Sequence, residues 1–128
     1  MIDFKIWLSQ IIGYCEFVAN DVKLRHAWIN CDFSETSVTD FDELYEQVFD
    51  DLDAERFAAD LQAHLPNAEQ ARITIAEFLS SLQEMDRSRS ESPHLLNASA
   101  LLDSGQWQRV RRAALAALDG VDHQAGDH

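Results

Sequence analysis

Apolar residues return every three or four positions along most of this 128-residue chain, which is the spacing of one face of an α-helix. The clearest run lies in residues 3–19 and consists of Phe4, Trp7, Leu8, Ile11, Cys15 and Val18. Four glycines and two prolines leave few positions at which a helix must break. Only Arg72 to Ala76 alternates briefly between polar and apolar residues, and its helical flanks disfavour a strand there. The sequence therefore predicts an all-α fold, a compact single-domain bundle or orthogonal array of five to seven helices.

Breakers and N-cap residues divide the chain into predicted helices. These helices cover residues 3–19, 21–28, 41–52, 53–65, 68–86, 95–102 and 105–120. The expected N-caps are Asp21, Thr39 (opening a capping box that ends at Asp42), Asn67 and Ser104. The stripe expected to be buried on the 68–86 helix is Ile73, Ala76, Leu79, Leu82 and Met85, with Ile75 and Phe78 adjacent to it. We expect an exposed loop over 87–93, a helix end at Gly120, one domain over 1–120 and a disordered tail over 121–128.

Negative charge is concentrated in one part of the chain. The whole sequence has 23 acidic and 10 basic residues, a formal net charge of −13. Residues 32–60 hold eleven acids and one base, so this block alone carries −10. The acidic balance disfavours direct nucleic-acid binding, which usually requires a basic surface. Charge that is uneven in this way indicates an interaction surface for a basic protein partner.

The segment from Phe41 to Asp53 separates its apolar and acidic residues on a helical wheel. At about 100° per residue, the apolar half is formed by Phe41, Leu44, Tyr45, Val48, Phe49 and Leu52. The acidic sector is formed by Asp42, Glu43, Glu46, Asp50 and Asp53. We predict that these five carboxylates bind the partner, with Tyr45 and Phe33 as aromatic anchors. Asp32, Glu35, Glu55 and Asp60 extend the same negative region.

No known catalytic or metal-binding motif accompanies this charge. The chain lacks the Glu-x-x-His pairs of di-iron bundles, the spacing of a calcium loop, a G-x-S-x-G elbow and a P-loop. We therefore expect no enzyme activity, no cofactor and no metal. A Cys/His nucleophile pair stays open, because such residues meet in space rather than in sequence. The basic cluster of Arg109, Arg111 and Arg112 either faces solvent, pairs with the acidic block or holds a phosphate.

The two cysteines and the apolar segments bear on location. Cys15 and Cys31 are too few to staple a domain of this size, so we expect reduced thiols, with Cys15 packed in the core. Glu16 interrupts the first apolar run, which also lacks the basic start of a signal peptide. No stretch approaches the roughly 18 apolar residues of a spanning helix. These features predict a cytoplasmic protein that does not enter a membrane.

The acidic stretch from Asp32 to Leu52, DFSETSVTDFDELYEQVFDDL, resembles bacterial toxin-immunity proteins in character. The closest in kind are those of contact-dependent growth inhibition systems and of nuclease colicins. This resemblance implies a cytosolic inhibitor that binds the toxin domain of a cognate effector, often a basic nuclease. The negative face would then compete for the surface that otherwise meets RNA or DNA phosphates.

Two other functions fit the same sequence. A helical adaptor or regulatory subunit would bind through apolar surface, for which Trp28 and Trp107 are the candidates, and would tolerate high salt. A DNA mimic would compete with bulk DNA for a nucleic-acid-binding host protein. The inhibitor should instead weaken as salt rises, because exposed charges are screened over about 8–10 Å. Its association should also slow when Asp42, Glu46 and Asp50 are reversed to Lys, a change we expect the domain to tolerate.

Overall fold

Seven α-helices and no strand make up the part of the chain that the computed structural model describes, residues 4–34, 36–65 and 68–126. The helices are α1 (Phe4–Ala19), α2 (Asp21–Ile29), α3 (Phe41–Glu46), α4 (Ala54–His64), α5 (Glu69–Glu91), α6 (Ala98–Asp103) and α7 (Gly105–Gly126). A π-helical turn, Gln47–Asp51, continues α3, and a 3-10 turn, Pro93–Leu96, precedes α6. The predicted all-α bundle of five to seven helices is therefore confirmed. None of the helices in these ranges combines the length and apolar character needed to cross a membrane.

The long helices α5 and α7 form the central pair, and α1 packs against α7. The pair runs antiparallel, because Arg109 near the start of α7 meets Glu84 late in α5 at 3.6 Å, whereas Gly120 lies against Ala71. The fully buried Trp107 of α7 fills the centre of the core. Its ring centroid lies 5.6 Å from that of Trp28 and 6.3 Å from that of Phe41. This aromatic contact joins α2, α3 and α7 around one core.

Two of the predicted helix caps lie one residue away from their predicted positions. Asn20, rather than Asp21, caps α2, because its side chain accepts a hydrogen bond from the backbone N–H of Lys23. Asp40, rather than Thr39, caps α3 and accepts from the N–H of Glu43 at 2.8 Å. Ser104 caps α7 as predicted, with its Oγ accepting from the N–H of Trp107. The N-cap position of α5 is Ala68, and the predicted cap Asn67 lies outside the described residues.

Helix α5 is longer than predicted and buries a different stripe. It continues to Glu91, so the predicted 87–93 loop is wrong over residues 87–91. Its last turns pack against α3, where Arg89 is only 8% exposed. Ile73 is 45% exposed and Ala76 is also exposed, so the predicted stripe is wrong at these two positions. The side chains that α5 buries are Ala71, Thr74, Ile75, Phe78, Leu79, Ser81, Leu82, Met85 and Arg89. The small residues Ala71 and Thr74 lie near the N-terminal end of α5, where Gly120 of α7 packs against them.

Gly120 does not end the last helix, which continues to Gly126. A Cβ atom at Gly120 would lie 2.8 Å from Thr74 Oγ1 and 3.4 Å from Ala71 Cα. The glycine therefore permits the close approach of α7 to α5, and its presence does not indicate a helix end. The predicted tail begins inside this helix and its last two residues lie outside the described residues, so the boundary at residue 120 stays a prediction.

We predict that Gly13→Ala and Gly120→Ala change stability in opposite directions. A Cβ at Gly13 would meet nothing within 4 Å, so alanine should raise the free energy of unfolding by about 1 kcal/mol through helix propensity. At Gly120, the new Cβ atom would force the Thr74 hydroxyl to move. We expect this steric cost to exceed the gain in helix propensity, so that the free energy of unfolding falls by about 1 kcal/mol. Urea unfolding measures both changes. In a chain that carries Thr74→Ala, the hydroxyl is absent, and Gly120→Ala should then raise the free energy of unfolding. If Gly120→Ala still lowers the free energy of unfolding in that chain, the steric explanation is contradicted.

Candidate functional site: an acidic surface around a π-helical turn

The acidic segment is held to the protein by its apolar side. Phe41, Leu44, Val48 and Leu52 are buried, as the helical wheel predicts, while Tyr45 and Phe49 are half-buried. The Phe49 ring lies 4.5 Å from the Tyr45 ring. The acidic residues Asp42, Glu46, Asp50, Asp51 and Asp53 are all exposed. The segment is therefore an amphipathic strip whose outer side is almost entirely carboxylate.

The backbone of this segment is irregular where its charge is densest. The N–H of Leu52 bonds to the carbonyl of Gln47 five residues earlier, which is a π-helical turn. Asp53 follows with φ 49° and ψ 55°, a left-handed conformation that most residues avoid. Its side chain makes no capping bond to α4. π-turns and strained residues concentrate at functional sites, so the geometry singles out residues 47–53.

Helix α1 fixes both ends of the π-helical turn. The hydroxyl of Tyr14 donates to Gln47 Oε1 at 2.8 Å, and Gln47 Nε2 donates to Glu43 Oε1 at 2.9 Å. At the other end, the indole N–H of Trp7 donates to the carbonyl of Leu52 at 2.5 Å. These bonds tie the segment to a 16-residue helix in the core. The carboxylates are thus presented by a backbone that is held in place.

Asp42 differs from the other predicted site residues because it already has a cationic partner. Arg89 Nη1 donates to Asp42 Oδ1 at 2.6 Å, and the guanidinium carbon lies 4.8 Å from the centre of the Phe41 ring. The Asp42 carboxylate remains 74% exposed, but the hydrogen bond from Arg89 lowers its pKa, while partial burial opposes this shift. A lysine at position 42 would lie beside a buried guanidinium. Like charges would meet there, so reversal of Asp42 removes an ion pair of the fold, and the expectation that the domain tolerates this change stays a prediction.

The remaining carboxylates lie on two sides of the turn. Burial raises the pKa of Tyr45, and the negative charges of Asp86, Glu55 and Asp50 raise it further. On the other side, burial and the charges of Asp51 and Glu43 raise the pKa of Tyr14. Ion pairs between described residues involve only Asp21, Asp32, Asp42, Glu84 and Asp103 among the acids. The carboxylates on both sides of the turn are therefore largely uncompensated.

The structure brings together most, but not all, of the predicted site residues. Glu43, Tyr45, Glu46, Asp50 and Asp53 lie along one segment. Phe33 is 41% exposed in a separate loop, where its neighbour Asp32 bonds His26 of α2 at 2.6 Å. No ring contact joins Phe33 to Tyr45 within the described part of the chain. The loop that carries Phe33 is thus joined to α2 through Asp32.

Sequence reasoning missed Asp51 and Asp86. On the wheel, Asp51 falls about 20° from Leu44, at the edge of the apolar half, so it was not grouped with the acidic sector. The π-helical turn alters this angle, and Asp51 is exposed. Asp86 belongs to α5, and only the packing of α5 near Tyr45 brings it to the site. No local pattern carries that information.

Neither tryptophan proposed for an apolar docking surface is available. Trp28 is 6% exposed and Trp107 is fully buried, so both belong to the core. The exposed large apolar side chains are spread over several elements: Ile6, Val22, Ile29, Phe33, Ile73, Leu96 and Leu115. The expected surface at Trp28 or Trp107 is therefore wrong.

The two cysteines lie in different environments. Cys15 is buried as predicted, and burial raises its pKa to about 12, which leaves it a poor nucleophile at neutral pH. Cys31 is exposed, and both thiols are free. Within the described ranges, no group of three or more His, Cys, Asp or Glu side chains could hold a metal ion.

Comparison with protein-family models, curated proteins and solved structures found no match.

We predict that the contribution of Asp42 to stability depends on pH. Its pKa is lower in the folded chain than the unfolded value of about 3.9, so its contribution is complete above that pH and is lost as the pH falls through the folded-state pKa. Asp42→Asn should therefore destabilise the chain near neutral pH and less so near about pH 3. Urea unfolding across this range measures the difference. Asp50→Asn is the matched control, and an equal pH-dependent loss in that variant would contradict the role assigned to Arg89.

Proposed function

We propose that this protein is an immunity protein, a non-catalytic inhibitor that binds and neutralises a cationic toxin domain. The observation that carries the proposal is the acidic surface at the π-helical turn, where the exposed Glu46, Asp50, Asp51 and Asp53 form no ion pair with another described residue. Its partner is a basic protein domain, and a nuclease is the best-suited class because nucleases present cationic surface to phosphates. The inhibitor would act in the cytoplasm, where such a toxin meets RNA or DNA.

Electrostatic steering supports this function. A surface of one sign raises the association rate of an oppositely charged partner by about 10- to 1,000-fold, and like-charged molecules are excluded. Carboxylates held on a fixed backbone need little further ordering when the partner arrives, which reduces the entropic cost of binding. Half-buried Tyr45 lies among Asp50, Glu55 and Asp86 and would supply an anchor within the charged surface.

The adaptor function has weaker support. It requires apolar surface, and the two tryptophans considered for it lie in the core. Single exposed apolar side chains are normal on monomeric proteins and do not indicate a docking site. A DNA mimic would use the same acidic surface but would bind a different partner, a nucleic-acid-binding host protein. The experiment below distinguishes it from an immunity protein.

We predict that reversing charge on the strip abolishes capture of the partner. The test compares three tagged chains in lysate of the native host: wild type, Glu46→Lys/Asp50→Lys, and the matched control Glu77→Lys/Asp119→Lys. Both variants change the net charge by the same amount at exposed positions, and the control changes lie on α5 and α7. Wild type and control should retain one basic protein at low salt and release it near about 0.5 M salt, because screening shortens the reach of charge.

The captured protein is then expressed alone and together with each chain. An immunity protein requires that the partner arrest growth, that wild type and control restore growth, and that Glu46→Lys/Asp50→Lys does not. A non-toxic partner retained at high salt would overturn the proposal in favour of the adaptor. A partner displaced by bulk DNA without any toxicity would identify a DNA mimic.

A further inference from the structure

A cleft of about 370 Å³ lies between the start of α1, the end of the π-helical turn and α4. One part of its lining is aromatic and comes from Phe4, Trp7 and His64. The other part is acidic and comes from Asp51, Asp53 and Asp60. The cleft thus adjoins the acidic strip but is concave, and it contains apolar surface that the strip lacks.

The aromatic wall is a packed cluster. The Phe4 ring stacks with the His64 ring at 4.3 Å and with the Phe57 ring at 5.3 Å, with interplanar angles near 10° in both pairs. Trp7 meets the edge of Phe57 at 5.1 Å, and its indole N–H is fixed to the carbonyl of Leu52. These contacts fix the positions of the rings that form the wall of the cleft. A concave site that joins an apolar wall to polar groups able to orient a ligand is the usual form of a small binding pocket.

The three carboxylates of the cleft are not used by the fold. Asp51, Asp53 and Asp60 take part in no ion pair between described residues, and Asp53 makes no capping bond to α4. Arg56 also lines the cleft and is the only base among residues 32–60. The rim therefore carries three negative charges and one positive charge beside an aromatic wall. The charge that complements this arrangement is a cation.

We propose that this cleft binds an arginine side chain of the cationic partner. The inference rests on the proposed function and specifies how the partner is recognised. A guanidinium is planar, stacks on aromatic rings and pairs with carboxylates through two parallel hydrogen bonds. A lysine ammonium is more strongly hydrated and lacks the planar geometry, so the aromatic wall favours arginine over lysine. Arg56 is a like charge at the rim and weakens binding of the incoming side chain.

The test uses a small probe on the full chain. The probes are three blocked peptides of sequence Gly-Xaa-Gly-Xaa-Gly, in which Xaa is arginine, lysine or the neutral isostere citrulline. Two-dimensional nitrogen–proton NMR follows the indole N–H of Trp7 and the backbone amides of residues 51–53. We expect the arginine peptide to shift these signals saturably, the lysine peptide to bind about threefold more weakly, and the citrulline peptide to leave them unchanged.

Variants then locate the site. Asp53→Asn/Asp60→Asn should weaken the arginine peptide about tenfold, and asparagine suits the left-handed backbone at position 53, so folding is retained. Arg56→Gln should strengthen binding about threefold by removing the like charge. Glu77→Gln/Asp119→Asn removes two exposed carboxylates on α5 and α7 and should change nothing. Circular dichroism of each variant verifies that helix content is kept.

The outcomes distinguish this inference from the proposed function. Equal affinity for the arginine and lysine peptides, with shifts spread around Tyr45 rather than Trp7, would overturn the cleft and leave the acidic inhibitor intact. Saturable shifts that persist in Asp53→Asn/Asp60→Asn would overturn the cleft as well. Absence of any shift with either charged peptide would count against both the cleft and electrostatic recognition.

Discussion

Burial of the apolar side of residues 41–52 is the interaction on which the acidic surface depends. Each of Phe41, Leu44, Val48 and Leu52 contributes about 1.5–3 kcal/mol when it leaves water. Like-charged neighbours four residues apart, such as Glu46 and Asp50, repel by only about 0.2–0.5 kcal/mol per pair. Packing therefore exceeds the repulsion several-fold, and the segment stays folded with its charges side by side. The hydrogen bonds from Tyr14 and Trp7 then fix its position on α1.

Arg89 shows how one buried cation organises two distant parts of the chain. It lies in a stretch whose serines and charges are typical of an exposed loop, yet it is buried against Phe41 and paired with Asp42. A buried guanidinium without a partner is costly, so the ion pair and the ring contact are both required for the last turn of α5 to pack there. Asp42 was predicted to bind a partner, and in the fold it forms the ion pair with the buried Arg89.

The sequence predicts those features that depend on one helix alone. The period of 3.6 residues predicts the helix over 3–19 and the buried side of residues 41–52, because burial along an isolated amphipathic helix follows its own spacing. It failed where a second element decides. Ile73 is exposed because α7 packs on the Ala71 and Thr74 side of α5. Gly120 lies within α7 because its contact with Thr74 leaves no room for a Cβ atom, and not because it ends the helix. The π-helical turn and the cleft beside Trp7 likewise arise from packing between elements, so no local pattern could have predicted them.

The same carboxylates give salt two opposite effects. In the free chain, Glu46, Asp50, Asp51 and Asp53 repel one another, and screening of that repulsion favours the folded state. In a complex with a cationic domain, screening removes the attraction and weakens binding. A partner relieves the repulsion more completely than salt, because its charges are fixed within the surface. If the charge served solubility alone, no partner would bind the acidic segment, and salt would be the only means of reducing the repulsion among its carboxylates.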